Sequence, residues 1–153
     1  MKTDHNSPVA DELEILRLLA TLAQAIDDRD ESRYRACFTD EVTEPSPTGD
    51  VNSWRVVSRQ EYTRRSMTAV SKMAWTHHKL CNPIVDVTGD RASAKADVVV
   101  DMEAVGGGDP RKRLTVGGRY DIAFIRLDNT WRINKRRLVR RYVIGDPTLA
   151  DPD

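Results

Sequence analysis

The chain has 153 residues, 39% of them hydrophobic and 31% charged, which supplies the core of one ordinary domain and excludes general disorder. Lysine plus arginine number 24 and aspartate plus glutamate 24, so the chain has no excess charge with which to grip a nucleic acid or a membrane surface. It has no apolar run of about eighteen residues to span a bilayer, no apolar signal segment in Met1–Pro8, and only two cysteines, Cys37 and Cys81; the expectation is a soluble, cytoplasmic domain without a disulfide framework.

In chain order, residues 1–9 and 145–153 are expected to be loose ends around a domain at 10–144. The first periodic segment, Pro8–Asp27, predicts a helix: Ser7 suits the cap, Pro8 the first helical position, and Ile15, Leu19, Leu22 and Ile26 form one apolar row. A short helix is expected over Glu31–Cys37 with Asp30 as its cap. A third begins at Ser58, where Ser58-Arg-Gln-Glu61 has capping-box spacing, and runs to Val70. Then the character changes. Residues 74–87, 92–104, 112–127 and 130–144 are rich in β-branched and aromatic side chains. Turn signals separate them at Thr88-Gly-Asp90, Gly106-Gly-Gly-Asp-Pro110 and Asp128-Asn129. Helices followed by successive strands predict an α+β fold, an antiparallel sheet folded over helices.

Two carboxylates close the first helix. Steps of four, three and four residues back from Asp27 meet Ala23, Ala20 and Leu16, a small apolar row; the same steps from Asp28 meet Gln24, Thr21 and Arg17. Helical geometry therefore sends Asp27 inward and Asp28 to water, unless Asp27 serves as a cap for the next helix or sits at a frayed helix end. A buried carboxylate needs a partner. His77 and His78 are adjacent in a strand and face opposite sides. His78 shares its side with Leu80, Asn82 and Ile84, which reads as the core face unless a bulge reverses it; His77 shares its side with Trp75, Lys79 and Cys81. A lone strand histidine is usually structural, but one held by a carboxylate has a fixed tautomer and a free basic nitrogen.

No H-x-H, H-x-x-x-H or C-x-x-C pattern occurs, so no metal site is predicted. The Gly106–Gly108 triplet leads into Asp-Pro and a further strand, and reads as a hairpin loop, not a phosphate cradle. The last strand carries Arg132, Lys135, Arg136, Arg137, Arg140 and Arg141. Without aromatic interleaving these read as an edge or outward face. One inward arginine, Arg136 or Arg137, could stabilise anionic charge developing in a pocket.

Several segments, in order, resemble the SnoaL-like branch of the nuclear-transport-factor-2-like superfamily, near scytalone dehydratase and hexachlorocyclohexane dehydrochlorinase. They are Ala25-Ile-Asp-Asp-Arg-Asp30, Thr76-His-His-Lys-Leu-Cys-Asn82, Val87-Thr-Gly-Asp-Arg-Ala92, Gly117-Gly-Arg-Tyr-Asp121 and Arg126-Leu-Asp-Asn-Thr-Trp-Arg-Ile133. The resemblance implies a cone-shaped roll, three N-terminal helices on a strongly curved, mixed and mostly antiparallel sheet around an apolar pocket. It implies a catalytic Asp–His pair at Asp27 and His78, the latter heading a His-x-x-x-Asn pattern that ends at Asn82. The other candidate substrate-binding residues are Ile26, Tyr62, Trp75, Tyr120 and Arg136. Ile26 stands where scytalone dehydratase has a tyrosine, and Tyr120, Tyr62 or a water would protonate a leaving group.

The implied activity is that of a lyase or isomerase, dehydratase-like, taking a proton from a hydrophobic cyclic molecule with no cofactor and no metal. A homo-oligomer, dimer or trimer, is implied as well; nucleic acid and membrane are not expected partners. The alternatives are a non-catalytic small-molecule-binding module and an interaction subunit of a larger enzyme, as the β subunits of ring-hydroxylating dioxygenases are.

Overall fold

Helix caps act where the sequence puts them. A computed structural model describes residues 7–48, 50, 52–106 and 110–149. Helix α1 spans Pro8–Asp27, with the Ser7 hydroxyl accepting from the Ala10 N–H at 3.3 Å. Helix α2 spans Glu31–Ala36 behind Asp30, whose carboxylate accepts from the Arg33 N–H at 3.0 Å. Helix α3 spans Arg59–Ser71 behind Ser58, which accepts from Glu61 N–H at 3.2 Å. Each cap satisfies a backbone donor the helix cannot. The predicted apolar row of α1 is the buried one: Ile15, Leu19, Leu22 and Ile26.

Six strands form one open mixed sheet in the order β2-β1-β6-β5-β4-β3. They are β1 (Phe38–Pro45), β2 (Trp54–Ser58), β3 (Met73–Thr88), β4 (Arg91–Ala104), β5 (Arg113–Leu127) and β6 (Thr130–Gly145). All neighbours are antiparallel except β1 and β6. The three helices pack on one face, giving the α+β roll, with Phe38, Val98, Phe124 and Ile133 among the core side chains beneath α1 and α3.

The structure departs from the sequence reading in four places. Strands β1 and β2 were not predicted; β1 reads Phe-Thr-Asp-Glu-Val-Thr-Glu-Pro, and its charges mask the alternation that buries Phe38 and Val42. Strand β6 is not a sheet edge, since it lies between β1 and β5. Its Lys135 and Arg137 do face outward, over the Trp54 ring at 3.7 and 5.3 Å. The expected loose tail carries structure as far as residue 149: Gly145 ends β6 and Pro147–Leu149 form a 3-10 turn. Finally, the parity of β3 breaks. The ladder to β4 shifts between Cys81 and Ile84, at Asn82, whose φ is 50°. Asparagine tolerates that left-handed backbone better than most residues, and the extra residue of a bulge flips every later side chain. Ile84 is consequently 68% exposed, while Val85 and Val87 pack against the core. His5 and residues 107–109 lie outside the described residues.

Candidate active site

Asp27 is the last residue of α1 and half-buried; Asp28, one residue on, is exposed and pairs with Arg33 at 3.3 Å. The turn that follows is closed by Arg29, a non-glycine residue at φ 55°. Its guanidinium donates to the carbonyls of Val70 at 3.3 Å and Met73 at 2.6 Å. One side chain thus ties the end of α1 to the end of α3 and the start of β3. Asp30, and not Asp27, caps α2, which leaves the Asp27 carboxylate for the sheet.

Three donors from β3 meet that carboxylate. The Thr76 hydroxyl donates to Oδ1 at 2.8 Å, the His78 backbone N–H to Oδ2 at 2.8 Å, and His78 Nδ1 lies 2.6 Å from Oδ1. Burial pulls the Asp27 pKa up. The His78 ring and backbone hydrogen bonds, the attraction of the imidazole and the Thr76 hydroxyl outweigh it, so the carboxyl titrates below its ordinary 3.8. An ionised carboxylate only accepts, so Nδ1 carries the proton of this bond and Nε2 is left as the basic nitrogen. The two side chains are 15% and 18% exposed, His78 and Asp27 respectively. Thr76, missed from sequence, stands two residues before His78 and so on the same side of the strand; that spacing was its available signal.

His78 borders two adjoining cavities, of about 670 and about 170 Å³. The larger is walled by Val100, Met102, Val116 and Leu138 from three strands, with Thr148 and Leu149 of the terminal turn at its rim. The smaller reaches toward α1 and α2 and is lined by Ile26, Tyr34 and Ser66. Val70, His78, Tyr120 and Arg136 border both. Arg136 lies among rings, with its guanidinium carbon 5.0 Å from the centroid of Tyr120, 5.4 Å from Tyr62 and 5.8 Å from Phe38. Burial pushes the Tyr120 and Tyr62 phenols up, against the pull of Arg136. Both therefore hold their protons at neutral pH.

Of the predicted pocket residues, Ile26, Tyr120 and Arg136 border these cavities together with His78. Tyr62 does not; it packs behind Arg136 against Phe38, ring centroids 4.8 Å apart. Trp75 is also displaced from the site. It is 40% exposed on the opposite face of the sheet, in a groove with His77, Lys79 and Asp101, as its odd spacing from His78 requires. Asn82 is at the bulge, and its amide reaches Asp97 at 3.4 Å on that outer face. Among the described residues no group of three or more His, Cys, Asp or Glu is placed to hold a metal ion.

A family model described as a SnoaL-like domain matches residues 7–137. No curated protein matches the chain. Among solved structures it is similar to the Kfla4162 protein of Kribbella flavida, at 22% identity and a TM-score of 0.85, over 95% of this chain and 100% of that one. A candidate scytalone dehydratase of Novosphingobium aromaticivorans superimposes with a TM-score of 0.76 at 16% identity, covering 90% and 88%. A type 3 hexachlorocyclohexane dehydrochlorinase of Novosphingobium barchaimii gives 0.72 at 17%, covering 89% and 90%. At such identities the likeness establishes the fold.

Proposed function

Since the chain belongs to the SnoaL-like domain family, we propose that it is a cofactor-independent lyase or isomerase that removes a proton from carbon in a hydrophobic, cyclic small molecule. The observation that carries this reading is the 2.6 Å contact of His78 Nδ1 with Asp27 on the wall of a cavity of about 670 Å³. His78 Nε2 takes the proton. Asp27 holds the ring in the tautomer that leaves Nε2 unprotonated, and stabilises the imidazolium that forms. Thr76 and the His78 backbone N–H hold the carboxylate in turn. The electron pair left on carbon expels a neighbouring leaving group in a dehydratase or dehydrohalogenase, or returns to a proton in an isomerase. Tyr120, on the same wall and protonated at neutral pH, is the group assigned to protonate the leaving oxygen. The solved neighbours whose names include a dehydratase and a dehydrochlorinase support this class of reaction.

The test begins with cyclic β-hydroxy ketones in heavy water, followed by proton NMR for deuterium exchange at the carbon beside the carbonyl and for loss of water. Exchange reports proton abstraction even where nothing is expelled. A positioned general base accounts for roughly 10²–10⁴-fold of rate, so His78→Ala and Asp27→Asn should each lose on the order of that factor while keeping the parent circular dichroism. Undiminished exchange in either folded variant would rule the pair out as the base.

A further inference from the structure

Four arginines of this sheet are each paired with a carboxylate, whereas Arg136 is enclosed among aromatic rings. Arg113 pairs with Glu103 at 2.7 Å, Arg119 with Asp97 at 2.8 Å, Arg126 with Asp11 at 2.7 Å and Arg137 with Asp121 at 2.6 Å. Arg136 is more enclosed than most of these, yet among the described residues no carboxylate lies within ion-pair distance of it. Its single hydrogen-bond partner there is the Tyr34 hydroxyl, at 3.2 Å. That hydroxyl donates onward to Ser66 Oγ at 3.2 Å, and Ser66 donates to the Tyr62 carbonyl at 3.1 Å. The chain of donors is therefore oriented, and it fixes the guanidinium in place. A guanidinium has five N–H donors and cannot shed its charge. The facing aromatic rings ease that charge but accept no in-plane hydrogen bond.

Shape adds the second constraint. Arg136, Tyr34 and Ser66 line the cavity of about 170 Å³, which holds a small head group and little else; the adjoining cavity of about 670 Å³ has aliphatic walls. His78 stands at their junction. A ligand that fits both lobes has a compact anionic head and an apolar body. The charges at the outer rim, Lys72 and Arg140, have the same sign. Asp27, the carboxylate nearest the site, is committed to Thr76 and His78.

We propose that the molecule taken by this site is an apolar carboxylic acid, bound with its carboxylate against Arg136 in the small lobe and its body in the large one. This deepens the reading of the cavity as a substrate site by naming the class of molecule. Arg136 then supplies a paired, charge-assisted contact to a planar head group.

The test compares cinnamate with cinnamamide, which have the same apolar body and differ in head charge, by calorimetric titration at neutral pH. The parent should bind the acid about tenfold or more tightly than the amide, the usual scale of a partly buried charge-assisted pair. Arg136→Met should erase the preference, and Arg17→Met, on the exposed face of α1 and outside both cavities, should retain it. Should Arg136→Met fail to fold, the Arg136 side-chain N–H resonance of the parent decides: it should move with cinnamate and stay with cinnamamide. Equal affinities, binding of neither compound, a preference that survives Arg136→Met, or one lost in Arg17→Met would each overturn the proposal. Binding is read without turnover, so failure of the elimination chemistry leaves this ratio unaffected. An absent preference leaves the deuterium-exchange result equally untouched.

Discussion

Replacing Asp27 by asparagine should lower stability in a way that depends on pH. The carboxylate accepts from three donors at 2.6–2.8 Å, two of them on Oδ1. Asparagine keeps Oδ1 for Thr76 and the imidazole, but its amide nitrogen then meets the His78 backbone N–H, donor against donor. One half-buried donor left unmet costs about 1–3 kcal/mol, and little water reaches a carboxylate that is 18% exposed. The folded carboxyl titrates below 3.8, so near that pH the unfolded chain binds more protons than the folded one. The stabilisation is complete above the unfolded value and disappears as pH falls through the lower folded value. Urea unfolding of parent and Asp27→Asn at a series of pH values should therefore show a gap at about pH 5 that closes as pH falls below about pH 4. A gap unchanged between about pH 5 and about pH 3, or one that widens over that range, refutes the assignment of this stability to the ionised form.

Two further outcomes follow from other parts of the molecule. Arg126 reaches both oxygens of Asp11 at 2.7 Å and lies 4.6 Å from the Trp131 ring, with both partners nearly enclosed; Arg126→Met should cost about 3–5 kcal/mol in chemical unfolding, since a buried carboxylate loses its charge partner. A loss under about 1 kcal/mol would show the pair to be screened like a surface one. Burial pushes the Cys37 thiol up to about 11, whereas Cys81 is exposed. A thiol-specific disulfide reagent at mildly alkaline pH should thus modify Cys81 alone in the native protein and both in denaturant; prompt native labelling of Cys37 would contradict its burial.

Much of the site was legible because helix and strand periodicities act on single residues. The separation of Asp27 from Asp28 needed only the apolar row behind one and the polar row behind the other, and the structure sends the first to Thr76 and His78 of the sheet and the second to water accordingly. His78 and His77 separated by strand parity alone. What parity could not supply was its own failure at Asn82, because a left-handed residue inside a strand depends on ladder pairing far away in sequence. Trp75 was named as a candidate pocket residue although its spacing from His78 already put it on the other face. Tyr62 lies one layer too deep, since which of two buried rings touches a cavity is decided by packing of α3 on β1, not by any local pattern. The charged strand β1 was hidden by its own outward side chains.

The turn closed by Arg29 has a mechanical meaning. The chain leaves Asp27 and is bolted, two residues later, to the carbonyls that end α3 and begin β3, three residues before Thr76 and five before His78. Carboxylate and imidazole are therefore mounted on one rigid bracket rather than on two separately moving parts. The wall side chains Met102 and Leu138 and the terminal turn at Thr148 and Leu149 lie outside that bracket. In the proposed reaction, adaptation to the size of a guest falls to those wall and rim groups and alignment of Asp27 with His78 to the bracket, so variation at the rim changes what enters without retuning the proposed base.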